Sequence, residues 1–143
     1  MEKSLVLVKP DAVARNLSGT IISRLERSGL TLIALKMLHM SQALAEQHYA
    51  PHKERPFFGD LIRFITSGPI VAAVFEGDNA VSAIRTAMGA TDPAKAEAGS
   101  IRNDFGLDIE HNAVHGSDSV QTAEHEIRLF FPDAELMHHA RKQ

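Results

Sequence analysis

The chain has 143 residues, 44% of them hydrophobic and 23% charged, with a formal net charge of −3 and no cysteine. Residues 1–143 therefore read as a single soluble domain with room for a sizeable core. The lack of cysteine excludes disulfides, thiolate metal sites and a cysteine nucleophile, and the mildly acidic balance supplies no basic field for nucleic acid.

Met1-Glu2-Lys3-Ser4 leads into an apolar run of only Leu5 to Val8. That run is too short for a signal-peptide core or a membrane span, so a cytoplasmic protein with no membrane partner is expected. Read locally, Leu5 to Val8 is a strand buried on both faces that ends at Lys9. Ser18 suits an N-cap, and Ile21, Ile22 and Leu25 form one helical face that Gly29 ends. Leu30 to Met40 predicts a second strand. Ser41 starts a short helix through Tyr49, which Pro51 breaks. Pro56 suits the first residue of the next helix, whose Phe58, Leu61, Ile62 and Ile65 fall at the spacing of a core-facing stripe. Ser67-Gly68-Pro69 stops it.

Ile70 to Phe75 predicts a third strand, and Asn79 caps a helix carrying Val81, Ile84 and Met88 that Gly89 closes. Residues Ala90 to Gly106 are small, polar and turn-rich, the composition of a functional loop with one or two helical turns. A weak strand over Ala113 to His115 precedes a helix over Val120 to Phe130, and a polar tail runs from Pro132 to Gln143. This order predicts an α+β, ferredoxin-like sandwich, a four-stranded antiparallel sheet covered by helices. A doubly wound parallel sheet is the competing topology, disfavoured by few and unevenly spaced strands.

His115 stands out among the eight histidines, because Gly116 and the helix-starting residues Ser117-Asp118-Ser119 follow it. A histidine beside a helix start lies near free N–H groups and the positive end of a helix dipole, which favour anions. This pattern alone leaves catalytic and structural roles equally open. His39, His48, His52, His125, His138 and His139 read as surface or packed imidazoles. His111 and His115 are four apart, but Ala113, Val114 and Gly116 argue against a helix there, and no carboxylate lies at zincin-like spacing. No metal site built from protein side chains is expected. Glu126, on the last helix, could orient His115, although by spacing alone it reads as a solvated carboxylate. There is no P-loop and no dinucleotide fingerprint, so a phosphate site would rest on side chains such as Lys9, Arg85 and Arg102. Phe57, turned aside from the Phe58 stripe, could stack on a base or belong to a second core face.

Asn112-Ala113-Val114-His115-Gly116-Ser117-Asp118-Ser119 resembles the N-x-x-H-G-S-D-S signature of nucleoside diphosphate kinases. Leu7-Val8-Lys9-Pro10-Asp11-Ala12, Arg55-Pro56-Phe57-Phe58, Ser67-Gly68-Pro69, Thr91-Asp92-Pro93-Ala94 and Ser100-Ile101-Arg102-Asn103-Asp104-Phe105 resemble further blocks of that family, in order across nearly the whole chain. The resemblance implies γ-phosphate transfer from a nucleoside triphosphate to a nucleoside diphosphate, by a ping-pong route through a phosphohistidine at His115, with Mg2+ carried by the nucleotide phosphates. It implies that Phe57 stacks on the base and that Lys9 and Asn112 hold the ribose and nearby phosphate. Arg85, Thr91 and Arg102 would grip the phosphates, Tyr49 would lie near the transferred group, Glu126 would orient His115, and Ser117 would support that pair. It also implies a homo-oligomer built from dimers, a dimer or tetramer before a hexamer. The alternative is a silent nucleotide or single-strand nucleic acid binding module, against which the net charge weighs. The sequence departs from the family at Ala98, where proline is usual, at Ser100 for threonine, and at Glu110-His111 for a glycine–arginine pair.

Overall fold

The computed structural model describes residues 1–139; the end of the predicted tail, residues 140–143, lies outside them. Strand β1 (Glu2–Val8) leads into a short helix α1 (Pro10–Ala14) and then α2 (Ser18–Arg27). Strand β2 (Thr31–Leu38) is followed by α3 (Gln42–His48) and α4 (Phe58–Ile65), then by β3 (Ile70–Gly77) and α5 (Ala80–Met88). Helix α6 (Ile101–Phe105), strand β4 (Val114–Gly116) and helix α7 (Val120–Phe130) complete the pattern. The sheet order is β2-β3-β1-β4 and every pairing is antiparallel. This is the predicted α+β sandwich; a parallel sheet is excluded.

Helices cover both faces of the sheet, which explains why Leu5 to Val8 are all fully buried. Leu5 and Leu7 pack with α3, α4 and α7, through residues such as Ala45, Ile65, Ile127 and Phe130. Val6 and Val8 point the other way, into a cluster with Ile21, Leu25, Ile84, Met88 and Ile101 of α2, α5 and α6. The period of two along a strand separates these two cores.

Several boundaries differ from expectation for local reasons. Helix α1 was not foreseen, because five residues are too few to show a helical period; Pro10 occupies its first position, where a missing N–H costs nothing. Ser18 lies inside α2, and Leu17 is the N-cap. Pro56 precedes α4 instead of opening it, since Arg55 to Phe58 forms a turn and Phe57 is the N-cap. Asn79 stands at the N-cap of α5 in a left-handed conformation, φ 53°, and its side chain does not cap; Glu2 Oε1 accepts the Val81 N–H instead, at 3.2 Å. Strand β4 starts one residue later than expected because Ala113, at φ 73°, cannot continue a strand. The Ala90–Gly106 loop holds the expected turns, one over Pro93–Lys95 and the other α6. Ser100 caps α6 by accepting the Asn103 N–H, a role that serine and threonine share. Nothing in the structure explains Ala98, which is exposed.

Gly89 closes α5 at φ 84° and ψ −178°, a region essentially reserved for glycine. A Cβ there would lie 2.4 Å from Ser100 Oγ, against the start of α6. Gly89→Ala is expected to cost about 1–3 kcal/mol and to lower the melting temperature measured by circular dichroism.

Candidate active site

Strand register puts His115 where it is. His115 pairs with Leu7, so its side chain shares the Leu7 face, which α3 and α7 cover. Val114 and Gly116 face the opposite core, and Gly116 runs so close to Met88 that a Cβ would meet its Cε at 2.7 Å. On α7, Ala123, Glu126, Ile127 and Phe130 form the buried stripe. Glu126 is thus carried inward with the apolar residues, to the point where β4 presents His115.

The imidazole Nε2 of His115 lies 3.0 Å and 3.1 Å from the two carboxylate oxygens of Glu126. Ser117 is fully buried and donates its hydroxyl to Glu126 Oε1 at 2.6 Å. Burial works to raise the Glu126 carboxyl, but the hydrogen bond and charge of His115, with help from His48 and the Ser117 hydroxyl, outweigh it and hold the group below its ordinary value. An ionised Glu126 can only accept, so His115 Nε2 carries the proton and Nδ1 keeps the lone pair. Among the described residues no group bonds Nδ1. The His115 side chain is 22% exposed, enough for a ligand to reach it.

The backbone before His115 is held under strain. Ala113 takes a positive φ in the core, its N–H is accepted by Asp11 Oδ2 at 3.0 Å, and its carbonyl accepts from the Lys9 N–H at 2.9 Å. Neighbouring Asn112 accepts from Lys9 Nζ at 2.8 Å and donates to the Thr91 carbonyl at 3.0 Å. Lys9, Asn112 and Thr91 therefore meet, although they come from positions far apart in the chain. Burial, then Arg102, lowers the Lys9 ammonium to about 8 despite the opposing charge of Asp11.

Arg102 is buried and donates to the carbonyls of Gly89 (3.1 Å) and Val114 (2.8 Å), tying its loop to β4. Burial, then the nearby Arg85 charge, lowers it to about 10, still fully charged near neutrality. Arg85 is exposed and paired with Asp118 at 2.8 Å. Phe57, 43% exposed, turns away from the core as its position before the Phe58 stripe suggested. Tyr49 is buried against His48, and burial, then the Glu126 charge, raises its phenol to about 12.

Comparison with known proteins places the chain in a family. Residues 2–136 match the family model described as nucleoside diphosphate kinase. The chain belongs to the nucleoside diphosphate kinase family. A nucleoside diphosphate kinase of Dehalococcoides mccartyi is 61% identical over 142 residues, covering 99% of this chain and 100% of its own length. One of Archaeoglobus fulgidus is 56% identical, over 96% of this chain and 91% of its own. Among solved structures, the halophilic nucleoside diphosphate kinase of Halobacterium salinarum in complex with CDP superimposes with a TM-score of 0.95 at 47% identity, over 98% of this chain and 93% of its own. The nucleoside diphosphate kinase of Aquifex aeolicus gives 0.93 at 41% identity, over 95% and 99%. Membership makes this chain one of a family of phosphotransferases.

Within this nucleoside diphosphate kinase fold, three residues at the site escaped the sequence reading. His48 read as a bland imidazole, yet its side chain is 1% exposed and its ring stands edge-on to His115, centroids 4.7 Å apart. Its spacing from Leu44 and Ala45 on α3 was the available signal, since it places His48 on the inward face. Asp11 and Asp118 carried no period at all. Burial, then the adjacent His115, lowers His48 to about 3 against the attraction of Glu126, so the ring is neutral at ordinary pH.

An unfolded chain protonates such a histidine near 6.5 while the folded one refuses the proton down to about 3. Stability should therefore fall as pH drops through that window, at up to about 1.4 kcal/mol per pH unit. His48→Phe removes this contribution, so urea denaturation between pH 6.5 and 4 should show a shallower acid loss than the parent protein.

Proposed function

We propose that the chain transfers the γ-phosphate of a nucleoside triphosphate to a nucleoside diphosphate through a phosphohistidine at His115, maintaining nucleoside triphosphate pools. The observation that carries this reading is the Glu126 carboxylate on His115 Nε2, which leaves Nδ1 without a partner among the described residues, on a side chain that is 22% exposed. In the first half-reaction the Nδ1 lone pair forms a bond to the γ-phosphorus. The bond from that phosphorus to the bridging oxygen breaks, and the diphosphate leaves with the electron pair. The imidazole gains positive charge as it does so, and Glu126, fixed by Ser117, stabilises it without taking its proton. A terminal oxygen of the second diphosphate then attacks the phosphorus, and the Nδ1–P bond returns its pair to the ring. Similar half-reactions let one site serve donor and acceptor in turn.

Phosphoryl transfer rests on positioning and charge stabilisation, and the remaining residues suit both. Arg85, Thr91 and Arg102 grip the phosphates, with Asp118 yielding Arg85 to the incoming anion. Lys9 and Asn112 hold the ribose and nearby phosphate. Phe57 stacks on the base, a contact every base can make. Tyr49 lies near the transferred group. Mg2+ takes oxygen ligands and arrives largely on substrate phosphates. The cationic set here fits that mode, since the three-ligand cluster among the described residues, His48, His115 and Glu126, is nitrogen-rich. When bound, Mg2+ neutralises charge on the nucleotide phosphates.

Residues 1–143 act as one nucleoside diphosphate kinase domain in the cytoplasm. No helix among the described residues is long and apolar enough to cross a membrane. The functional unit is a homo-oligomer built from dimers, a dimer or tetramer before a hexamer. Strand β2 lies at the sheet edge with Leu35 53% and Met37 63% exposed, a surface suited to a second copy.

Incubation with labelled ATP and Mg2+ but no acceptor should yield an acid-labile, base-stable phosphoprotein, and His115→Ala should abolish both label and turnover. Persistent labelling of that variant sinks the phosphohistidine route. Light scattering should give at least a dimer mass, lowered by Leu35→Glu with Met37→Glu; a monomeric parent protein overturns the assembly.

A further inference from the structure

One feature of the site goes unused in phosphoryl transfer. His48 is buried between Tyr49, His115 and Phe130, and neither of its ring nitrogens has a hydrogen-bond partner. A phenylalanine or leucine would fill such a position without stranding polar atoms. The stranded Nδ1 stands 3.6 Å from Glu126 Oε2, on the same carboxylate that holds His115 Nε2 at 3.0 Å. One ligand atom from each of His48, His115 and Glu126 can be chosen so that all lie within 4.8 Å of one another.

We propose that His48, His115 and Glu126 form a binding site for a transition-metal ion of the zinc class, and that the bound ion silences His115. Ligand atoms around a tetrahedral zinc lie about 3.3 Å apart, given bonds of about 2.0 Å. The His115–Glu126 and His48–Glu126 separations, 3.0 Å and 3.6 Å, bracket that value, while the two imidazoles, whose ligand atoms lie within 4.8 Å, would have to draw together by side-chain rotation to close the site. Two imidazoles and one carboxylate suit Zn2+, Co2+ or Cu2+, whereas Mg2+ prefers oxygen and water. His115 is the most exposed of the three side chains, 22% against 7% for Glu126 and 1% for His48, so the ion and a water as fourth ligand would enter past it. Ser117, donating to Oε1, orients the carboxylate from behind, as groups hydrogen-bonded to a ligand do in metal sites. The Lys9 ammonium opposes a second cation nearby, but it is turned to Asn112 Oδ1.

Silencing follows from the tautomer and so rests on the nucleophile assigned to His115 above. A metal takes the Nε2 lone pair, and a neutral imidazole so bound carries its proton on Nδ1. The proton passes from Nε2 to Nδ1 through solvent, none is lost, and the lone pair that would attack phosphorus is gone. Zinc-class ions thus inhibit while Mg2+ supports the reaction.

Co2+ titration of the full chain tests the site apart from the activity. The expected result is one Co2+ per chain with the intense visible bands of tetrahedral coordination, displaced by Zn2+. The bands should weaken more than about tenfold in affinity in His48→Phe and in Glu126→Gln, and persist in His111→Ala and His138→Ala. Weak octahedral bands in the parent protein, bands retained in both site variants, or bands lost in His111→Ala overturn the proposal. In a second arm, Zn2+ at saturating concentration with excess Mg2+ and labelled ATP should suppress phosphoprotein formation at least tenfold, reversed by a chelator. The same Zn2+ should spare the label of His48→Phe, and equal suppression in that variant refutes the silencing. If the parent protein never labels at His115 while the tetrahedral bands appear, the phosphohistidine reading fails and the metal site stands.

Discussion

The hydrogen bond between Glu126 and His115 is the constraint on which the rest of the site depends. It joins a three-residue edge strand to the middle of a helix packed on the sheet. A carboxylate as buried as Glu126 is costly unless its oxygens are paired, and His115 with Ser117 pairs them. The same bonds fix which imidazole nitrogen carries the proton. The contact that offsets the burial of the acid is therefore also the one that leaves the other imidazole nitrogen without a hydrogen-bond partner among the described residues.

Around that contact, the side of the site that carries Lys9 and Arg102 is a set of struts. Lys9, Asn112 and Thr91 are bonded in sequence, and Arg102 ties the loop to β4 through two carbonyls. Ala113, held at a positive φ by Asp11 and by the backbone of Lys9, locks the approach to His115. Such strain persists only where the surroundings over-determine it, as they do in the buried corner between α1 and β4. Arg85 differs, being exposed and paired to an exposed carboxylate, a contact worth little in water. Of the cations around the site it is the one least committed to its partner.

His48 joins the two sides of this design. Kept neutral by burial, it leaves Glu126 to His115 and adds no competing charge. Its ring nitrogens have no hydrogen-bond partner among the described residues, which is why both the expected acid sensitivity and the proposed metal site involve it.

Periodicity and cap residues made most of the helices and, more weakly for β4, the four strands legible in the sequence, because apolar spacing reflects which face is buried. The helix over Val120 to Phe130 and the buried run Leu5 to Val8 follow from such spacing alone. His115 was legible as a residue before a helix start, and the family blocks named its companions. Helix α1 was too short to show a period, and the left-handed Asn79 and the positive φ of Ala113 each depend on a partner distant in sequence: Glu2 takes the N–H that Asn79 leaves uncapped, and Asp11 holds Ala113. By spacing alone Glu126 read as a solvated carboxylate, whereas it is buried on the inward stripe of α7, and its meeting with His48 and His115 was not legible either. By itself the sequence determined which residue types the chain offers and which face of each element they ride on. Only the tertiary structure decided which faces meet, because antiparallel register and helix docking, not spacing along the chain, bring a strand histidine, a helix carboxylate and a second buried imidazole to one point.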